Sequence, residues 1–158
     1  MSTYIYHTRQ ELPITIEKAW DFFSSPRNLA LITPPALDFR IAAMPDTNEI
    51  FQGMIIDYTL TPLPGFTTRW KSMIDSVRKP YLFIDRQVLG PYKFWEHTHK
   101  FTETPKGVMV TDEVKYILPL GLLGRFAHLL TVRKRLQKIF EYRRTTLHKI
   151  FTSDESND

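Results

Sequence analysis

The 158-residue chain contains no cysteine, which excludes disulfide stapling, thiolate-bound zinc and a cysteine nucleophile. It also lacks a long apolar run. The longest stretch, residues 117–132, is broken by Arg125 and His128 and falls short of the ~20 apolar residues that a membrane-spanning helix needs. The first ten residues, MSTYIYHTRQ, have neither the apolar segment nor the small-residue cleavage site of a secretory signal. The expectation is therefore a soluble, cytoplasmic protein. No internal repeat and no low-complexity linker interrupts the sequence.

What is present is the composition of a folded domain, 42% apolar and 24% charged. A chain of this size buries roughly 68–70% of its unfolded surface, so it closes a core without metal or crosslinks. A single domain is expected over residues 1–151, followed by an acidic, disordered tail at 152–158 that carries Asp154, Glu155 and Asp158. Charge is balanced over residues 1–120. The basic excess sits in 121–150, where Arg125, Arg133, Lys134, Arg135, Lys138, Arg143, Arg144 and Lys149 face Glu141 alone. Such a face suits peripheral contact with an anionic membrane, although most basic helix faces are simply solvated. No RNA-recognition or zinc motif accompanies it, so no nucleic-acid partner is expected.

Hydrophobic periodicity divides the chain into four parts. Residues 3–12 read as a strand ending at Pro13. Thr15 then caps a helix in which Ile16, Ala19, Trp20 and Phe23 share one face. Ser25-Pro26 opens a second short helix, which Pro34-Pro35 stops. Six period-two segments follow at 36–44, 50–61, 66–79, 81–90, 93–104 and 107–118, separated by short Pro- and Gly-containing turns that leave no room for crossover helices. From Gly121 the period becomes helical, with Leu122, Phe126, Leu129, Leu136, Phe140 and Leu147 on one arc. This order predicts an α+β fold: seven antiparallel strands curved around a long C-terminal helix that starts between Gly121 and Phe126, with a hollow between sheet and helix.

The segment 93–118 is the most informative. If Glu103 pairs with Val108 across the Thr-Pro-Lys-Gly turn, then Phe101 opposes Val110, His99 opposes Asp112, His97 opposes Val114 and Trp95 opposes Tyr116. One face then collects Trp95, His97, His99, Phe101, Asp112 and Tyr116, while Glu96, Thr98, Lys100, Thr111, Glu113 and Lys115 take the other. His99 and Asp112 on an inner face have the form of a general acid–base pair, in which a carboxylate sets the imidazole tautomer. They equally fit a buried polar pair that satisfies itself. His97-x-His99 offers two potential metal ligands on one strand face, but no second histidine pair or nearby acid cluster is visible, so no metal or other cofactor is expected.

Tyr58 and Trp70, with Ile56 and Ile74, fall on the inward parity of their strands and extend the aromatic lining. Polar groups among bulky aromatics favour a binding cavity over a solid core. The inner face of 81–90 cannot be assigned, because Leu82, Ile84 and Val88 alternate with Phe83, Asp85 and Gln87. Arg133 interrupts the apolar ladder of the last helix and either reaches into the cavity to pair an acid or snorkels outward on an aliphatic stem.

The run Gly90-Pro91-Tyr92-x-x-Trp95-x-His97-x-His99-x-Phe101, then Gly107, Val110-Thr111-Asp112-x-Val114-x-Tyr116 and Pro119-Leu120-Gly121, resembles the START-like superfamily, also called SRPBCC, on its polyketide cyclase/dehydrase and coenzyme-Q-binding side. Phe83-x-Asp85-x-Gln87 and Phe140-x-Tyr142-Arg143 are similar to segments of the same family. The resemblance implies the helix-grip fold, with a deep pocket for apolar or amphipathic molecules. It also implies pocket positions at Trp95, His97, His99, Asp112 and Tyr116 and inward placement of Asp85 and Gln87. The function expected is a binding or carrier protein for a hydrophobic small molecule such as a lipid, quinone or polyketide-like compound. Two alternatives stand beside it: a cyclase/dehydrase-type enzyme using His99 and Asp112, and an interaction module working through the basic helix.

Overall fold

The computed structural model describes residues 2–153. Strand β1 (Tyr4–Leu12) leads into helix α1 (Ile16–Phe23), whose first turn is capped by the Thr15 hydroxyl accepting from the Lys18 amide. Two short 3₁₀ turns, Pro26–Ala30 and Pro35–Leu37, carry the chain to β2 (Arg40–Ala43), β3 (Ile55–Leu63), β4 (Phe66–Arg78), β5 (Leu82–Leu89), β6 (Phe94–Thr104) and β7 (Gly107–Ile117). Every neighbouring pair is antiparallel, and the seven-stranded sheet has the order β1-β7-β6-β5-β4-β3-β2. The chain ends in a long helix made of α2 (Gly121–Ala127), one π-helical turn (His128–Val132) and α3 (Arg133–Thr152).

The predicted α+β helix-grip architecture is observed. Two elements are shorter than their patterns suggested. Residues 36–39 do not join β2, because Pro35–Leu37 forms a turn that ends at Asp38 in the left-handed region, φ 44°. Residues 50–54 precede β3 as a turn through Gly53, φ 86°. The expected acidic tail lies, beyond Ser153, outside the described residues.

Helix α3 buries Leu136, Phe140, Arg143, Leu147 and Phe151 against the sheet. Tyr6 of β1 stacks on Phe140 at 5.1 Å between ring centroids, and Phe22 of α1 meets Phe151 edge-on at 5.2 Å. The core falls into two clusters. One gathers Trp20, Phe83, Phe101, Leu147 and Phe151; the other gathers Val114, Tyr116, Leu136 and Phe140. Arg143 lies between them along the helix.

The arc predicted for the start of this helix is corrected by the π turn. Leu122 and Phe126 are exposed, and the side chain of Leu129 lies outside the described residues. A π turn inserts about one extra residue, which rotates the preceding helix face by roughly 100° relative to the following one. Leu122 and Phe126, which would continue the α3 stripe under an unbroken 3.6 period, are thereby turned away from the sheet.

The β6–β7 turn depends on Gly107, whose φ of 146° is a conformation that side-chain-bearing residues avoid. A Cβ there would run into the Leu12 carbonyl oxygen at the end of β1. Gly107→Ala is expected to destabilise the protein by about 2 kcal/mol or more. Gly65→Ala, at φ 77° in open space, should cost only about 1 kcal/mol. Denaturant unfolding of the two variants checks the difference, and equal losses would show that the contact with β1 is not what constrains the turn.

Candidate functional site

The β6–β7 register places His99 opposite Asp112, His97 opposite Val114 and Trp95 opposite Tyr116. His97, His99, Phe101, Val110, Asp112, Val114 and Tyr116 are buried, whereas Lys100 and Thr102 face outward and exposed. On the other flank of β6, β5 pairs Asp85 with His97 and Phe83 with His99. Three strands thus bring two histidines and two aspartates to one spot, and α3 adds Arg143 from above.

The contacts inside this group are close. The carboxylate oxygen Oδ1 of Asp112 lies 2.7 Å from His97 Nε2, 3.4 Å from His99 Nδ1 and 3.5 Å from Arg143 Nη1. The second nitrogen of His99, Nε2, is 2.8 Å from Asp85 Oδ2, and His97 Nδ1 is 4.0 Å from the same oxygen. The two imidazoles overlap at 3.7 Å between centroids, and Phe83 stacks on the outer side of His99 at 4.0 Å. Arg143 lies over the Phe140 ring at 4.8 Å, and its buried Nε has no hydrogen-bond partner among the described residues.

Burial disfavours charge on both imidazoles, but the outcome differs. In His97, burial and the adjacent His99 push the pKa below the ordinary value against the pull of Asp112 and Asp85. In His99, burial is outweighed by contacts with Asp112 and Asp85, and the pKa is raised. Burial alone would raise the Asp112 carboxyl. Its hydrogen bonds to His97 and His99 and the charge of Arg143 instead hold it well below the usual carboxylate range.

Above this polar floor a cavity of about 420 Å³ opens between the sheet, α3 and the 3₁₀ turns. Its walls are mainly apolar and aromatic, including Phe23, Leu29, Ile56, Tyr58, Trp70, Ile74, Trp95, Leu136 and Phe140, while Asp85, His97, His99 and Arg143 contribute polar surface. Ser72 is a further polar point, accepting from Trp70 Nε1 at 3.1 Å and lying 3.4 Å from the Tyr58 hydroxyl. Burial, reinforced by Asp85, pushes the Tyr58 hydroxyl far up, so it remains a neutral donor.

Of the residues predicted to bind ligand, Tyr58, Trp70, Asp85, Trp95, His97 and His99 line the cavity. Asp112 sits behind the histidines. Tyr116 packs against Tyr4, Tyr92 and Trp95, and Phe101 against Trp20, Phe23 and Phe83. Gln87 instead closes the β5–β6 turn, exchanging hydrogen bonds with the backbone of Tyr92 at 2.7 and 3.2 Å. Arg133 is exposed and away from the cavity lining; the inward arginine is Arg143. The buried residues of α3 follow Leu136 at steps of four, three, four and four, a stripe that includes Arg143; by spacing Arg133 lies on the same arc, but it stands in the first turn of α3, where it is exposed. His99 and Asp112 do face each other, but the shortest contact of Asp112 is with His97 and that of His99 is with Asp85.

No family model matches the sequence, and no curated protein matches it. Solved structures match it in fold. A protein of Nitrosomonas europaea superposes with a TM-score of 0.69 at 11% identity, covering 96% of both chains. Norcoclaurine synthase of Thalictrum flavum, a point mutant in complex with a transition-state analogue, gives 0.64 at 15% identity over 94% of this chain and 96% of its own. A major latex-like protein of Panax ginseng gives 0.66 at 9% identity over 95% and 98%. The chain has the helix-grip fold that these structures share, and its START-like resemblance holds at that level.

The two imidazoles should titrate on opposite sides of the ordinary histidine value. A raised folded pKa means that His99 contributes stability fully present below about pH 6.5 and lost as pH rises through its folded value. His97, with a lowered value, contributes in the opposite sense. Residue-resolved ¹⁵N NMR should find His99 protonated where His97 is neutral, and Asp85→Asn should lower the His99 value. Two histidines titrating together near 6.5 would contradict this arrangement.

Proposed function

We propose that the protein binds and carries an amphipathic small molecule, with an apolar body and an oxygen acceptor at one end, in the cavity beneath α3. The observation that carries this reading is a mainly apolar, aromatic-walled cavity with a polar end, where the buried Nε of Arg143 has no hydrogen-bond partner among the described residues. A buried N–H without an acceptor costs about 1–3 kcal/mol, and a ligand carbonyl or carboxylate oxygen placed there recovers it. A volume of about 420 Å³ falls within the range of sites that enclose drug-sized ligands. Quinones, fatty acyl compounds and polyketide-like aromatics all have this chemistry. Norcoclaurine synthase, captured with a transition-state analogue, illustrates that the fold also serves catalysis. The second reading is accordingly a cyclase/dehydrase-type enzyme, favoured by the presence of His97, His99 and Asp85 on the cavity wall.

The test is a titration followed by the fluorescence of Trp70 and Trp95, which line the cavity. Compounds bearing a carbonyl or carboxylate are expected to bind about tenfold more tightly than apolar compounds of the same size, the equivalent of one net hydrogen bond. No response to either class would refute the carrier reading. His99→Gln distinguishes carrier from enzyme: ligand stays bound in both, and only an enzyme loses turnover.

We further propose that the carrier exchanges its amphipathic cargo at a membrane, a role that the start of the C-terminal helix suits. Among the described residues no helix is long and apolar enough to cross a bilayer. Leu122, Leu123, Phe126 and Leu130 are each about two-thirds exposed or more, and Arg125, Arg133 and Lys134 lie in the same segment. An exposed apolar patch flanked by basic residues fits an anionic lipid surface. The chain is expected to co-sediment with phosphatidylserine-containing vesicles at low salt, less so at high salt, and the double variant L123D/F126D should bind at least tenfold more weakly. Equal binding to neutral and anionic vesicles, or no effect of the double variant, would refute this contact.

A further inference from the structure

The cluster at the cavity floor has a second property that its hydrogen bonds conceal. His97 directs Nε2 at Asp112 and has Nδ1 on its other side; His99 directs Nδ1 at Asp112 and has Nε2 on its other side. Those two outer nitrogens both turn to Asp85, at 4.0 and 2.8 Å from its Oδ2. One nitrogen of His97, one of His99 and one Asp85 oxygen lie within 4.8 Å of one another. A tetrahedral ion with metal–donor bonds near 2.0–2.1 Å holds its ligands roughly 3.3 Å apart, so the donor separations change by up to about 1.5 Å and the two overlapped imidazoles tilt apart to close the set.

We propose that Asp85, His97 and His99 form a binding site for one divalent transition-metal ion, with Asp112 as the outer carboxylate that orients both histidines. Two imidazoles and a carboxylate suit zinc, iron(II) and their first-row neighbours rather than calcium or magnesium. Metal-binding histidines usually give their other N–H to a carboxylate or carbonyl, which fixes the tautomer and the ring; here a single oxygen of Asp112 serves both rings. Arg143 compensates Asp112, leaving the Asp85 carboxylate to face the ion. All three ligands line the cavity, so the remaining coordination positions open onto it, and a ligand oxygen there would complete the shell. In the metal-free protein, a proton between His99 and Asp85 takes the place of the ion. The site shares the cavity with the carrier reading but does not need it, because an apolar compound can bind without metal and a metal without the compound.

The experiment uses the full chain stripped with a chelator. Titration calorimetry with zinc is expected to show one equivalent per chain, and cobalt(II) should give visible absorption bands of a tetrahedral or five-coordinate ion. Asp85→Asn and His99→Gln should each weaken zinc binding at least 100-fold, and Asp112→Asn about 10–100-fold, as expected for an outer-shell partner. The double variant H7Q/H148Q, which removes two histidines outside the cluster, should bind as the wild type does. Where a cluster variant fails to fold, wild-type NMR decides, since diamagnetic zinc must shift the His97 and His99 ring signals and not those of His7 or His148. Absence of stoichiometric binding to the wild type overturns the proposal, as does binding that survives Asp85→Asn or is lost in H7Q/H148Q. The fluorescence response to apolar probes, measured with and without chelator, separates failure of this site from failure of the carrier reading.

Discussion

A single carboxylate oxygen, Oδ1 of Asp112, constrains most of this molecule. It is buried under α3 and contacts His97, His99 and Arg143 within 3.5 Å. An isolated carboxylate in that position would cost several kcal/mol of lost hydration, and only close, well-placed partners offset such a cost. Sliding β7 by one residue against β6 would turn Asp112 to the solvent face and bring Thr111 or Glu113 inward. Rotating α3 by one residue would remove the guanidinium. The partnership therefore holds strand register and helix azimuth together.

The same polar group explains why the molecule is hollow. The two hydrophobic clusters, one around Trp20 and Phe101 and one around Tyr116 and Phe140, are separate, and aliphatic side chains closing over the polar group between them would leave the Arg143 Nε without an acceptor. Aromatic residues form the walls instead, Trp70 stacking with Tyr58 and meeting Trp95 edge-on. A cavity with apolar walls and a polar end is the physical form of a site for an amphipathic molecule. The fold also serves other chemistries, so the polar end, not the architecture, is where this chain's own activity must be sought.

Much of this was legible in the sequence, and the residues that were not show where pattern reading fails. The β6–β7 register follows from a two-residue turn and from the sorting of charged against aromatic residues, because a period of two leaves only two choices of face. Strand β5 defeated the same reasoning: both of its faces carry large apolar residues, and pairing shifts against β4 between Ile74 and Ser76 break the parity that a pattern relies on. Asp85 was placed inward only by family resemblance, so an acid next to the histidine pair was not visible from alternation. Arg133, which the sequence left open between an inward and an outward orientation, is exposed and outside the cavity lining although its spacing from Leu136 and Phe140 puts it on the buried arc of α3. Helical spacing alone does not separate it from Arg143, which stands mid-helix between the two clusters and is buried. Gln87 shows a different limit, since a long polar side chain on the inner parity can fold back to satisfy its own turn.

The central claim is that the space above the Asp112 cluster is a binding site rather than a packing defect. Native mass spectrometry of the full chain purified from its own cells tests it most directly. The account predicts a discrete small-molecule adduct, of a mass fitting a cavity of about 420 Å³, that contains oxygen and is released by organic solvent. A bare polypeptide mass, under conditions gentle enough to keep a complex of another helix-grip protein intact, would contradict it.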